Sequence, residues 1–382
     1  MVNRGLICPH QAQGWGTING TAGYGHVGSC SFLELAIKRE TLREETVRNY
    51  RCPYTGEPLH VESTGRQNSI IVSGALASPS GRRYEINDGI PFLIDPSKEK
   101  LTPEEKREAE YYEATAAGYD SIISWLFRSF YEDEDKVRNE LIDLLDLRPG
   151  SRVLETGCGT CRDSVQIADR LNGGEIYLQD YSPSMLRLGR ERMESTPAAK
   201  TCTIEYFVGN ACQLPFPDKF FDAAFHFGGL NLFSDKRKAL SEMARVVRTG
   251  GKVVAGDESL APWLRETEYG RILLNSNHLY TYKVPADHVP ECAREVCIRW
   301  ILGNAFYVVD FRVGEGTPPI DLDLPIQGAR GGTHRTRYYG RLEGVTVETK
   351  EKVAAAAQRR GMSIHDWLDS TLKGAADRDL SE

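Results

Sequence analysis

The chain holds 382 residues, 40% hydrophobic and 26% charged, too long for one ordinary domain and suited to a core with accessories. A net charge of −7 argues against a general nucleic-acid binder, which needs a basic surface to neutralise phosphate. No apolar run approaches the roughly 20 residues of a membrane span, and Met1 to Gln11 lacks the apolar stretch of a secretory signal.

Nine scattered cysteines, mostly outside metal-ligand spacing, suit reduced thiols and predict a cytoplasmic setting. Residues 1–50 read as an N-terminal extension, glycine-rich over Gly14–Gly28 and helical in character over Phe32–Tyr50. Residues 51–96 read as a small β module, with alternating runs at Ser69–Ser73, Arg83–Ile86 and Pro91–Ile94 and a turn at Asn87-Asp88-Gly89. Ser97–Glu110 is charged and contains Pro103, so it is a linker or the start of a helix.

Beyond it the pattern changes. Strands are predicted at Arg152–Glu155, Glu175–Gln179, Thr203–Phe207, Asp222–His226 and Lys252–Gly256. Helices are predicted at Lys136–Leu145, Asp163–Leu171, Ser184–Glu194 and Lys236–Val247. Such alternation implies a parallel sheet with helices on both faces. Strands near Cys297–Ile301 and Ala305–Val313 complete a seven-stranded, mostly parallel α/β domain over residues 97–314. Its insert at 259–295, rich in Trp, Tyr, Leu and Pro, reads as an apolar lid. Residues 315–382 form an Arg-rich segment and a tail of two helices split at Gly361.

Three stretches carry the chemistry. Val153-Leu154-Glu155-Thr156-Gly157-Cys158-Gly159-Thr160-Cys161 is an apolar strand that ends in an acid and enters a glycine turn before a helix. Glycine there lets a ligand approach the backbone closely. Ile176-Tyr177-Leu178-Gln179-Asp180 ends the next strand in an acid suited to grip ribose hydroxyls, and Ser182-Pro183-Ser184 then caps a helix. Val208-Gly209-Asn210-Ala211 places a polar amide after the third strand, where an adenine edge would lie.

Together these stretches resemble the class I methyltransferases that use S-adenosylmethionine (SAM), closest to the ubiquinone/menaquinone C-methyltransferase group. The resemblance continues through Phe220-Phe221-Asp222-Ala223-Ala224-Phe225, Phe227-Gly228-Gly229-Leu230-Asn231 and Ala239–Lys252, and upstream through Tyr111-Tyr112 and Ala117-Gly118-Tyr119-Asp120. It implies a Rossmann-like fold with SAM as cofactor. Glu155, Gly157, Cys158 and Gly159 would line the methionine and ribose side, and Asp180 would take the ribose hydroxyls. Tyr181 and Met185 would flank the adenine, Asn210 and Ala211 would meet its edge, and Tyr119 would reach the methionine carboxylate. Two positions depart from the family. Glu155 stands where aspartate is usual, and Cys161 stands where a third glycine is usual, either as a small buried residue or as a thiol facing the pocket.

Methyl transfer needs alignment and exclusion of water, with a base only if the acceptor must lose a proton. His226 and His278 are the candidate bases; a packed strand-end histidine and a surface helix are the alternatives. Asn231, Arg335, Arg337 and Tyr338 are the candidate acceptor-binding residues. The last three belong to Gly328–Arg341, whose four arginines suit an anionic acceptor or a homodimer contact.

Cys52 through Leu93 resembles the zinc-ribbon-like module that opens some ribosomal-RNA guanine methyltransferases and occurs as a free methyltransferase partner. Only Cys52 remains of the first Cys-x-x-Cys pair, and the second falls on Ser78 and Gly81. A degenerate copy without metal is expected, since structural zinc needs four ligands. Cys8, His10, Cys30 and Cys52 offer an irregular alternative set. Val345–Lys373 resembles the helical half of ribbon-helix-helix DNA-binding proteins. The six basic and seven acidic side chains of 345–382 favour packing or dimerisation over DNA.

The leading expectation is a small-molecule methyltransferase acting on an O, N, S or C nucleophile in a cofactor or secondary-metabolite pathway. The alternatives are an RNA base methyltransferase and a non-enzymatic regulator that binds SAM.

Overall fold

Short apolar strands alternating with amphipathic helices build a layered α/β fold in the computed structural model. It describes residues 42–381 apart from 68–69, 100–102, 328–330 and 340–344. The N-terminal extension up to residue 41, with Cys8, His10 and Cys30, lies outside the described residues, as do Arg330 and Arg341.

The chain enters through a short helix, α1 (Glu44–Val47), and then forms a four-stranded antiparallel meander. Its strands are β1 (His60–Gln67), β2 (Ile70–Ala77), β3 (Arg83–Asn87) and β4 (Ile90–Pro91). The β3–β4 turn is closed by Asp88 and Gly89, with φ of 51° and 72°. This is the positive-φ pair that two-residue hairpins favour. β1 has no counterpart in the sequence reading. Its residues, HVESTGRQ, lack apolar alternation because the strand is an edge, paired only to β2.

A helix of 27 residues follows, α2 (Pro103–Ser129), where the sequence suggested a linker or a helix start. Pro103 opens it at the position where a missing N–H costs nothing. Next come α3 (Glu134–Asp143), β5 (Arg152–Thr156), α4 (Arg162–Leu171), β6 (Glu175–Asp180), α5 (Pro183–Ser195) and β7 (Thr203–Val208). They are followed by β8 (Phe221–Phe227), α6 (Lys236–Val246), β9 (Val247–Glu258), α7 (Glu268–Ser276), β10 (Ala293–Ile301) and β11 (Phe306–Val313).

The sheet order is β10-β11-β9-β8-β5-β6-β7. Every neighbouring pair is parallel except those made by β11, which runs antiparallel to β9 and β10. This is the seven-stranded, mostly parallel Rossmann-like sheet the sequence predicts. Central strands are apolar on both sides because each face is covered. Leu154, Ala224 and Ala255 pack on one face with α6, and Val153, Phe225 and Val254 pack on the other with α3 and α4.

The β module extends this sheet at its β7 edge. Phe92 pairs with Val208 in parallel register, and Leu93 N–H donates to Val208 O at 2.8 Å. Arg51 N–H donates to Pro215 O at 2.8 Å. Tyr50 is fully buried against Tyr177, Phe207 and Phe216, with ring centroids 5.3–6.2 Å apart. Within the module, Glu57 accepts from Thr55 Oγ1 (2.9 Å) and Ser80 Oγ (2.5 Å), and Cys52 Sγ lies 3.1 Å from Tyr84 Oη. Hydrogen bonds thus tie the Cys52–Gly56 turn to the Ser78–Gly81 turn.

The tail holds α8 (His334–Tyr339), α9 (Val347–Arg359) and α10 (Ile364–Ser381). Gly361, with φ of 66°, breaks the last two apart. Among the described residues no helix is long and apolar enough to cross a membrane.

Candidate active site

After β7 the chain crosses to the other side of β5 and lays down β8. That is a topological switch, and open α/β sheets bind ligands at the carboxyl ends of the strands beside such a point. The end of β5 turns through Gly157 and Gly159, with φ of 60° and 52°. A Cβ on Gly157 would sit 3.0 Å from His226 Cε1, so the turn depends on glycine for space as well as conformation.

The turn is held by β6. Gly157 N–H donates to Gln179 Oε1 (3.1 Å), Cys158 N–H to Gln179 O (2.9 Å) and Gly159 N–H to Asp180 Oδ2 (2.8 Å). Gln179 Nε2 donates to Gly209 O at 2.5 Å and so links the ends of β5, β6 and β7. The sequence reading missed Gln179 because a strand glutamine carries no motif. Asp180 also accepts Ser182 N–H at 2.9 Å, and burial, partly offset by these N–H groups, raises its carboxyl.

Helix α2 covers this rim. The Tyr119 ring lies beside the Gly159 turn, 3.8 Å from where a Cβ would be, and burial raises its hydroxyl above the ordinary range. Asp120 accepts from Thr160 Oγ1 (2.7 Å) and pairs with Arg192 and Arg162. Glu113 accepts from Ser182 Oγ (2.5 Å) and Ser184 N–H (3.1 Å), at the positive end of α5. Glu113 also lay outside the sequence reading, since the contact joins residues far apart in the chain.

Glu155 is buried at the end of β5, accepting from Ser164 Oγ at 2.5 Å. Burial and then the neighbouring Asp163 push its carboxyl well up. Cys161 adopts the left-handed conformation (φ 60°, ψ 36°) that favours glycine, with its sulfur 3.9 Å from that of Cys158. Tyr181 is half-buried, Met185 is buried in the first turn of α5, and Ala211 is buried beside Asn210 after β7.

His226 ends β8 fully buried. Its Nδ1 lies 2.7 Å from Thr156 O, so Nδ1 carries the proton and Nε2 the lone pair. Among the described residues Nε2 has no hydrogen-bond partner, and burial lowers the ring's affinity for a second proton. Asn231 follows, donating from Nδ2 to Glu258 O at 2.7 Å, with its N–H on Asp257 and its Oδ1 unpartnered. Asp257 and Glu258 close β9, and burial together with Asp257 raises the Glu258 carboxyl well up. They were absent from the sequence reading.

The remaining candidates stand in other elements. His278 is exposed in a 3-10 turn of the insert, its ring 6.3 Å from that of Tyr282. Arg335 pairs with Asp323 at 3.1 Å, Arg337 donates to Gly331 O at 3.2 Å, and Tyr338 is 83% exposed, all on α8.

Residues 153–251 match the family described as a methyltransferase domain. Demethylmenaquinone methyltransferases of Bacillus mycoides (strain KBAB4) and Bacillus cytotoxicus are each 32% identical over 159 residues, 41% of this chain and 63% of theirs. The chain thus spans under two thirds of the length of these curated relatives. Similar solved structures include the complex of the Trm112 methyltransferase activator with a methyltransferase from Haloferax volcanii (TM-score 0.42, 14% identity, 55% of this chain and 99% of that one). Another is phosphoethanolamine N-methyltransferase 2 of Haemonchus contortus with S-adenosyl-L-methionine (TM-score 0.44, 14% identity, 59% and 62%).

Proposed function

We propose that this chain transfers a methyl group from SAM to a small-molecule nucleophile. One observation carries the reading: the glycine turn of β5, the Asp180 carboxylate that accepts its Gly159 N–H, and Asn210 stand at the carboxyl ends of three adjacent strands. The site suits SAM in its own atoms. Glycine at 157 keeps the turn's backbone bare beside the His226 ring, and a half-buried carboxylate stands where ribose hydroxyls need an acceptor. Glu155, Gly157, Cys158, Gly159 and Tyr119 would hold the methionine and ribose side. Asp180, Tyr181, Met185, Asn210 and Ala211 would hold the nucleoside. The cofactor supplies an electrophilic methyl group on a sulfonium.

The protein's part is alignment, exclusion of water and proton removal. α2 supplies a cover through Tyr119 and Asp120. His226, locked as the Nδ1–H tautomer and kept neutral by burial, is the proposed proton acceptor, with Asn231 beside it on the acceptor side. The named activity of the Bacillus relatives supports an acceptor of a cofactor pathway, and demethylmenaquinone is the first to try. His278 remains a second candidate base from the insert. Arg335, Arg337 and Tyr338 remain candidates for an anionic group of the acceptor or for a homodimer contact. We read the β module as a degenerate ribbon in which the Thr55–Glu57–Ser80 bridge stands where ligands would be.

The test is transfer of labelled methyl from SAM to reduced demethylmenaquinone across pH 5–8. With His226 as base, activity rises through a pKa below the ordinary value near 6.5, and His226→Gln lowers the plateau about 100-fold and abolishes that rise. An unchanged profile in His226→Gln assigns the histidine to packing alone.

A further inference from the structure

Asn210 does not offer an unoccupied amide to an adenine edge. Its Oδ1 accepts Cys212 N–H at 2.8 Å, and its Nδ2 donates to Glu99 Oε2 at 2.6 Å. Glu99 arrives from the tail of the β module, after β4, and is held there. Its Oε1 accepts from Tyr54 Oη at 2.8 Å, and Tyr54 Oη in turn accepts Asp95 N–H at 2.9 Å. Arg82 fixes the Tyr54 ring, its guanidinium 5.3 Å from the centroid, while pairing with Asp95 at 3.1 Å. Glu99 also acts on Tyr181, whose hydroxyl is raised by burial and then by the Glu99 charge.

An adenine edge presents an exocyclic amine, a pure donor, beside a ring nitrogen that accepts. The amine needs an acceptor, and the neutral Asn210 carbonyl already accepts Cys212 N–H, which leaves it one lone pair. A carboxylate has about four lone-pair sites, and Glu99 uses two. We infer that Glu99 binds the adenine amine of the cofactor, a nucleoside contact delivered to the methyltransferase domain by the N-terminal module, with Tyr54 as its positioning residue. The inference rests on the SAM reading above.

Calorimetric titration with S-adenosylhomocysteine and with its 6-oxo (inosine) counterpart tests it, on the full chain and on Glu99→Ala, Glu99→Gln and Tyr54→Phe. The 6-oxo ligand replaces the amine by a carbonyl that a carboxylate repels. The full chain prefers the amino ligand by about tenfold or more, the size of a hydrogen bond to a charged group. Glu99→Ala loses about tenfold in affinity for the amino ligand and loses that preference. Glu99→Gln retains one carbonyl acceptor and falls between, and Tyr54→Phe weakens the preference while melting as the parent does. Glu99→Ala that binds S-adenosylhomocysteine as tightly as the parent, or more tightly, overturns the inference and makes Glu99 a plug. If the parent binds neither ligand, the SAM reading itself fails and this inference with it.

Discussion

Cys161 holds a left-handed backbone that costs a non-glycine residue roughly 1–2 kcal/mol, and it is tolerated because its surroundings fix it. Its sulfur packs against Cys158 and against Gly189 of α5, where an added Cβ would overlap it. Gly189→Ala should therefore destabilise the protein by about 1–3 kcal/mol through overpacking. Cys161→Gly in the same chain should restore most of that loss, since it removes the sulfur and relaxes the backbone. Denaturant melts of the two single variants and the double variant give the coupling. Additive effects would mean that the two residues do not oppose each other. This contact was legible in part. The family resemblance marked Cys161 as the odd member of a glycine turn, but only the fold brings Gly189 to it.

At the scale of elements, the join between the β module and β7 has a pH-sensitive member. Glu205 of β7 is buried, and burial pushes it up to about 7 despite Thr46 and Arg43 beside it. An unfolded glutamate titrates near 4.3, so the folded state prefers the proton. Stability is then full below about pH 4, falls between about 4.3 and 7, and levels off above. The loss approaches about 4 kcal/mol by pH 8. Glu205→Gln should flatten the melting temperature between pH 5 and pH 8, whereas the parent should melt lower at pH 8. Equal slopes in the two proteins would remove Glu205 as the cause. The sequence marked Thr203–Phe207 as a strand but gave no sign of this acid's burial, because the cover comes from residues 43–50. β1 was hidden for the opposite reason, as an edge strand of mostly polar residues writes no apolar period.

For the whole molecule, what was legible is what lies within one βα unit. The glycine turn, Asp180 and Asn210 each end or follow an apolar strand directly, so their place at the carboxyl edge is legible in the sequence alone. Gln179, Glu113, Glu99 and the Asp257–Glu258 pair are not, because their partners are brought by topology. α2 closes over the rim from residues 103–129, and the module reaches it from residue 99. The central claim, that this rim is a SAM site, is tested most directly by calorimetric titration of the protein and of Asp180→Ala with S-adenosylhomocysteine. The account predicts micromolar binding by the parent and its loss in the variant, with the variant still folded. A parent that binds nothing, or a variant that binds as the parent does, would contradict it.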